Sequence, residues 1–116
     1  MNEILEQALL YDFYGELLTN HQKRIYEQFV LEDLSLSEIA EDEGISRQGV
    51  HDMVKRCNKA LIGYEEKLHL VEKFVKIKKK IEEMNEVLQE SEADTFDKDR
   101  LIITMKNISE EIIEEL

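Results

Sequence analysis

Between Ser46 and Lys59 the chain reads SRQGVHDMVKRCNK, and its polar side chains are of types that recognise nucleic acid rather than transform a substrate. Arg47, Lys55, Arg56 and Lys59 are cations suited to the phosphate backbone, which positions a protein without reading sequence. Gln48 and His51 offer the donors and acceptors that meet base edges, with Gln to adenine the most specific pairing. Asp52 can accept from a cytosine amino group or simply repel phosphate. Ser46 stands where a hydroxyl caps a helix and helps turn its backbone N–H groups toward a phosphate. A solvated helix face is the alternative for the whole set.

Such side chains act together only if a helix holds them on one side. Val50, Met53, Val54, Cys57 and Leu61 recur at spacings 3, 1, 3 and 4, an apolar stripe that fixes a helix on a core and leaves Gln48, His51, Asp52, Lys55 and Lys59 outward. Ahead of it, Ser37 is expected to cap a short helix with Leu36 as its staple and Ile39 and Ala40 inward. Gly44 permits the corner between the two helices, because a residue without Cβ enters left-handed dihedrals freely, and Ile45 can plug that corner. Two short helices around a tight turn make a helix-turn-helix, whose second helix commonly enters a DNA major groove.

The supporting elements also read as helices, so the expected fold is all-α. Residues 3–18 carry Ile4, Leu5, Ala8, Leu9, Tyr11, Phe13, Leu17 and Leu18 at helical spacing, with Gly15 ending the helix or admitting a close neighbour. Tyr11, Phe13 and Tyr14 read as packing and rim groups, since no basic residue alternates with them as in a base-stacking platform. Thr19 or Asn20 caps a helix over His21–Leu31, with Ile25, Phe29 and Val30 inward, Tyr26 at the edge, and Lys23 and Arg24 on a solvated face. After Leu61 the periodicity predicts one long helix, about 40 Å from Tyr64 to Glu90 at 1.5 Å per residue, with a bend at Gly63. Its stripe, Leu68, Val71, Phe74, Val75, Ile81, Met84 and Leu88, needs a second surface, and antiparallel pairing of two copies is preferred to packing on the first or last helix. Residues 91–98 break the period, with Ser91, Asp94 or Asp97 available as caps. A final helix over Asp99–Leu116 presents Leu101, Met105, Ile108, Ile112 and Leu116. The expected organisation is an N-terminal helical and helix-turn-helix domain, 1–62, and a dimerising pair of helices, 63–116.

Charge and composition narrow the function. The chain has 116 residues, no proline, and 15 basic against 27 acidic residues, a net charge of −12. The balance is uneven: residues 46–66 sum to +1 and 67–80 to +5, between ends of −9 each. A central basic strip can face an anionic partner, while the acidic ends make a protein partner with a basic face equally natural. Cys57 is the single cysteine, and no Cys/His cluster has metal-ligand spacing. No glycine-rich phosphate loop or nucleophile elbow is present. The expectation is a non-enzymatic cytoplasmic protein without a cofactor, an export signal or a membrane span.

LYDFYGELLT at 10–19, SLSEIAEDEGISRQGVHDMVKR at 35–56 and YEEKLHLVEKF at 64–74 resemble the YlxM family over residues 4–75. These are small bacterial proteins with a helix-turn-helix like region 4 of sigma factors, encoded beside signal recognition particle genes. The resemblance implies a DNA-binding regulator with Arg47, Gln48, His51, Asp52 and Lys55 toward bases and backbone, and a link to the signal recognition particle pathway through its protein or RNA. It leaves open an adaptor that contacts a particle component without binding DNA. The family pattern usually has an aromatic residue in place of His51 and a polar one in place of Met53.

Overall fold

Helices α1 (Glu3–Tyr14), α2 (Asn20–Val30), α3 (Leu36–Glu43), α4 (Arg47–Leu68), α5 (Leu70–Glu90) and α6 (Lys98–Glu115), with a 3-10 turn over Gly15–Leu17, make the chain all-α. The computed structural model describes residues 3–93 and 97–116; the side chain of Ile4 and the whole of Asp94, both named above, lie outside the described parts. The helices group into two compact units, Met1–Val71 and Glu72–Leu116. The boundary expected between 62 and 63 falls inside α4.

In the first unit most helix ends have a local reason. Helix α1 ends where Gly15 lets the ring of Tyr11 come close: a Cβ there would stand 2.8–3.0 Å from that ring. Thr19 caps α2 reciprocally, its Oγ1 accepting from the Gln22 N–H at 3.2 Å while Gln22 Oε1 accepts from the Thr19 N–H at 2.9 Å. Ser35 rather than Ser37 caps α3. The reason is the third helical residue: Glu38 returns the bond to the Ser35 N–H at 3.2 Å, whereas three residues after Ser37 stands Ala40, which has nothing to return. Gly44 has φ +67 and open space where a Cβ would be, so its dihedral alone demands glycine. The N–H groups of Gly44 and Ile45 both donate to Ala40 O, closing the end of α3.

The core of this unit lies between α1, α2, α3 and α4. Tyr14, Ile25, Tyr26, Ile39, Val50, Cys57 and Leu61 are almost wholly buried. Met53 is half-buried at the edge of the α4 stripe. Tyr26, expected at an edge, is inside because its hydroxyl has a partner there: it donates to Asn58 Oδ1 on α4, and its ring packs on Tyr11 with centroids 5.6 Å apart.

The long helix expected after Leu61 is interrupted once. Helix α4 continues through Gly63, and the break falls at His69, in the left-handed region at φ 56. What holds it there comes from α1 and α4. The Tyr14 hydroxyl donates to Glu65 Oε1 at 2.5 Å and accepts from the Leu70 N–H at 3.1 Å, while Glu65 Oε1 accepts from the Val71 N–H at 3.0 Å. The first N–H groups of α5 thus have side-chain partners where a continuous helix would have used backbone carbonyls. Val71, placed by periodicity on a pairing surface, is 7% exposed in its own chain.

In the second unit Asp97 caps α6, its Oδ1 accepting from the N–H groups of Asp99 and Arg100. The Ser91 hydroxyl instead donates to Leu88 O at the end of α5. Residues 72–90 of α5 and helix α6 run antiparallel, since Lys80 pairs with Glu111 at 2.6 Å and Lys76 with Glu115 at 3.9 Å. Ile108 is buried on the inner side of α6, with Leu101, Met105 and Ile112 half-buried beside it. Leu116, expected in that stripe, is 80% exposed.

Candidate nucleic-acid interface

The face of α4 is set by its cap, its corner and its buried stripe. The Ser46 hydroxyl accepts from the Gly49 N–H at 2.9 Å, starting the helix at Arg47. Glu43, the last residue of α3, fixes the corner against α2: it accepts from Arg24 Nε at 3.0 and 3.1 Å and from Gln28 Nε2 at 2.8 Å. Those bonds, from Arg24 first and Gln28 second, hold the Glu43 carboxyl below its ordinary acidity range. Arg24 is therefore paired within its own chain, although its side chain is exposed. Lys23 likewise pairs with Glu16 at 2.7 Å.

With Val50, Val54, Cys57 and Leu61 buried, the opposite side of α4 faces water. Ser46, Arg47, Gln48, His51, Asp52, Lys55, Arg56 and Lys59 are all exposed. Gln48, Asp52, Lys55 and Lys59 follow at spacings 4, 3 and 4, so they share one face. His51 borders that face, Arg47 lies in the first turn, and Arg56 is rotated about 100° from Lys55 on the next flank. The structure thus brings four of the eight residues into one row, with the others around it.

Two of the expected base readers bind each other. Gln48 Nε2 donates to Asp52 Oδ1 at 3.0 Å, and His51 Nδ1 stands 3.6 Å from the same oxygen. Gln48 keeps its amide oxygen as an acceptor and its second N–H as a donor, the two groups that a bidentate contact with adenine uses. Asp52 also places a negative charge between Gln48 and Lys55. On the side toward α1, α2 and α3, His51 and Lys55 rim a cavity of about 260 Å³ lined also by Gln7, Phe29, Leu36, Val54 and Asn58.

Cys57 beneath this face is shut off from solvent, and burial pushes its thiol up to about 11, so it packs as a small apolar group. Burial also raises the phenol of Tyr26, while Tyr11 is raised by burial and by its bond to Glu27. Sequence reading missed three supports of the site: Glu43 with Arg24, Asn58 with Tyr26, and Glu65 with Tyr14. Each pair is separated by 19, 32 or 51 residues, beyond the reach of any periodicity. Among the described residues no group of three His, Cys, Asp or Glu side chains is placed to hold a metal ion. No helix there is long and apolar enough to cross a membrane.

Comparison with known proteins agrees with the helix-turn-helix arrangement. Residues 1–101 match the family described as "Putative helix-turn-helix protein, YlxM / p13 like". The chain is similar to UPF0122 protein TTE1463 of Caldanaerobacter subterraneus subsp. tengcongensis, 51% identical over 87 residues that cover 75% of this chain and 74% of that protein. It is 45% identical over 96 residues to UPF0122 protein Teth514_1714 of Thermoanaerobacter sp., covering 80% and 82% of the two chains. A UPF0122 protein of Clostridium botulinum is 41% identical over 106 residues, 91% of this chain and 96% of that one.

Proposed function

We propose, for a chain that belongs to the UPF0122 family of YlxM / p13-like helix-turn-helix proteins, that it is a non-enzymatic DNA-binding regulator of the cytoplasm. The observation that carries this reading is the α4 face, where Gln48, Asp52, Lys55 and Lys59 lie in one solvent-exposed row held out by a buried stripe. In this reading Arg47, Lys55, Arg56 and Lys59 lie along phosphates, the Ser46 end of α4 points toward the backbone, and Gln48, His51 and Asp52 meet base edges. The protein acts as a homodimer through α5 and the last residue of α4, with Leu68, Phe74, Val75, Ile81, Met84 and Leu88 as the starting set for its interface. The family resemblance supports a place in or near the signal recognition particle pathway.

A second reading is favoured by the net charge of −12. A strongly acidic protein attracts a basic protein surface and repels a duplex at long range. Here the same scaffold is an adaptor that contacts a protein or RNA of the signal recognition particle without binding DNA.

Fluorescence anisotropy over a range of salt concentrations separates the two, using duplex fragments of the native genome, the particle RNA and the particle GTPase as probes. DNA regulation predicts saturable duplex binding. Lys55→Ala should weaken it uniformly across sequences and reduce the salt slope by about 1, while Gln48→Ala should relax preference at one base position by about 1–3 kcal/mol. Tight binding to the GTPase with no sequence-dependent duplex signal would establish the adaptor and overturn the DNA reading.

A further inference from the structure

The second unit exposes more apolar surface than its antiparallel pair of helices covers. On α5, Ile81 and Leu88 are 45% and 43% exposed, and Phe74 is 41% exposed; on α6, Ile102, Ile113 and Leu116 are 66%, 67% and 80% exposed. These residues fall on one side of the unit. Ile81 and Leu88 stand three before and four after the half-buried Met84, so both are rotated the same way from the inner face. On α6 the same rotation from Ile108 leads through Met105 to Ile102 and through Ile112 to Leu116. Antiparallel helices carry equally rotated flanks on the same side of their common plane, so the two exposed strips adjoin. Apolar faces of this kind mark interaction sites.

The charges along α5 say what covers that side. Lys73, Lys76, Lys78, Lys79 and Lys80 precede Ile81, and Glu82, Glu83, Glu86 and Glu90 follow it. The apolar residues share this centre, with Phe74 seven residues before Ile81 and Leu88 seven after it. A twofold axis through Ile81 therefore maps the strip onto itself: Phe74 meets the partner's Leu88, Ile81 meets its own copy, and Lys78 comes within about 3 Å of level with the partner's Glu82 on the flank they share. A parallel arrangement would set lysine against lysine and glutamate against glutamate. A pattern that is its own complement under a twofold rotation suits an isologous interface.

We propose that two copies of this chain pair through this side of Glu72–Leu116, with α5 antiparallel to its counterpart about an axis at Ile81 and α6 completing a four-helix bundle. This rests on the dimer reading above and extends its surface by Ile113 and Leu116 of α6. A heptad spacing over Phe74, Ile81 and Leu88 is the repeat that antiparallel bundle helices use.

Sedimentation equilibrium of the full-length protein, with oxidative cross-linking, tests the arrangement. The unaltered protein should be a dimer at micromolar concentration. Ile81→Glu should raise the dimer dissociation constant by more than about a hundredfold while keeping the helical circular dichroism, because two isoleucines leave the contact and two carboxylates meet on the axis. Ile81→Cys should form a disulfide-linked dimer under mild oxidation, since residues on a twofold axis face their own copies, whereas the unaltered protein with its buried Cys57 should not. A monomer at 100 μM would overturn both the dimer reading and this one. A dimer that survives Ile81→Glu, or that leaves Ile81→Cys uncross-linked, would overturn the axis at Ile81 and leave the dimer reading standing.

Discussion

Glu43 fixes the turn of the helix-turn-helix with a single carboxylate shared between Arg24 and Gln28. Its acidity is stronger in the folded chain than in the unfolded one, so its bonds contribute stability fully above the ordinary value of 4.5, and that contribution is lost as pH falls through the lower folded value. Glu43→Gln removes the charge and should reduce the urea midpoint at pH 7. The gap between the two proteins should close as the pH is lowered below 4.5, the value from which the folded carboxyl departs. Paired urea titrations at pH 7 and in the acid range check this. The outward residues Gln48, His51, Asp52, Lys55 and Lys59 were legible from their spacing against Val50, Val54, Cys57 and Leu61. The bond from Gln48 to Asp52 was available to the same reasoning, since residues four apart on a helix are neighbours. The hold of Glu43 on α2 was not, because it depends on how two helices cross.

Helix ends divide in the same way. Ser46 as the cap of α4 and Gly44 at the corner follow from local chemistry, and so does Ser35 once its partner Glu38 is weighed against Ala40. The end of α4 does not follow, because apolar spacing carries across His69 without a gap and the groups that stop the helix belong to Tyr14 and Glu65. Gly63, read as a bend, is an interior residue of α4 with open space where a Cβ would be. Gly63→Ala should therefore stabilise the protein by about 0.5–1 kcal/mol, seen as a higher urea midpoint at unchanged m-value. A loss of stability there would mean that the helix needs the flexibility of glycine after all.

Across the whole molecule, burial is concentrated in Met1–Val71. Among the described residues, that unit contains the hydrophobic side chains under 2% exposure, whereas Ile108 is the one buried hydrophobic residue in Glu72–Leu116. Opening free energy follows buried contacts. Amides around Val54–Leu61 should exchange with deuterium last and those of α6 much sooner, and raising the protein concentration should slow α6 selectively if pairing covers it. Hydrogen exchange with mass spectrometry at two concentrations reads both effects. The all-α class was legible from the absence of proline and from helical spacing throughout; the division of the core between units depends on which stripes meet in space.

The joint at His69 also bears on how the chain is assembled. The opening turn of α5 is finished by Glu65, six residues before Val71, and by a phenol that lies 56 residues before Leu70. A ribosome delivers residues in order, so Tyr14 has long emerged when Glu65 and Leu70 appear, and α1 is available to receive the end of α4 as it forms. The start of α5 is thus set by one hydroxyl group and one carboxylate that both precede it in the chain.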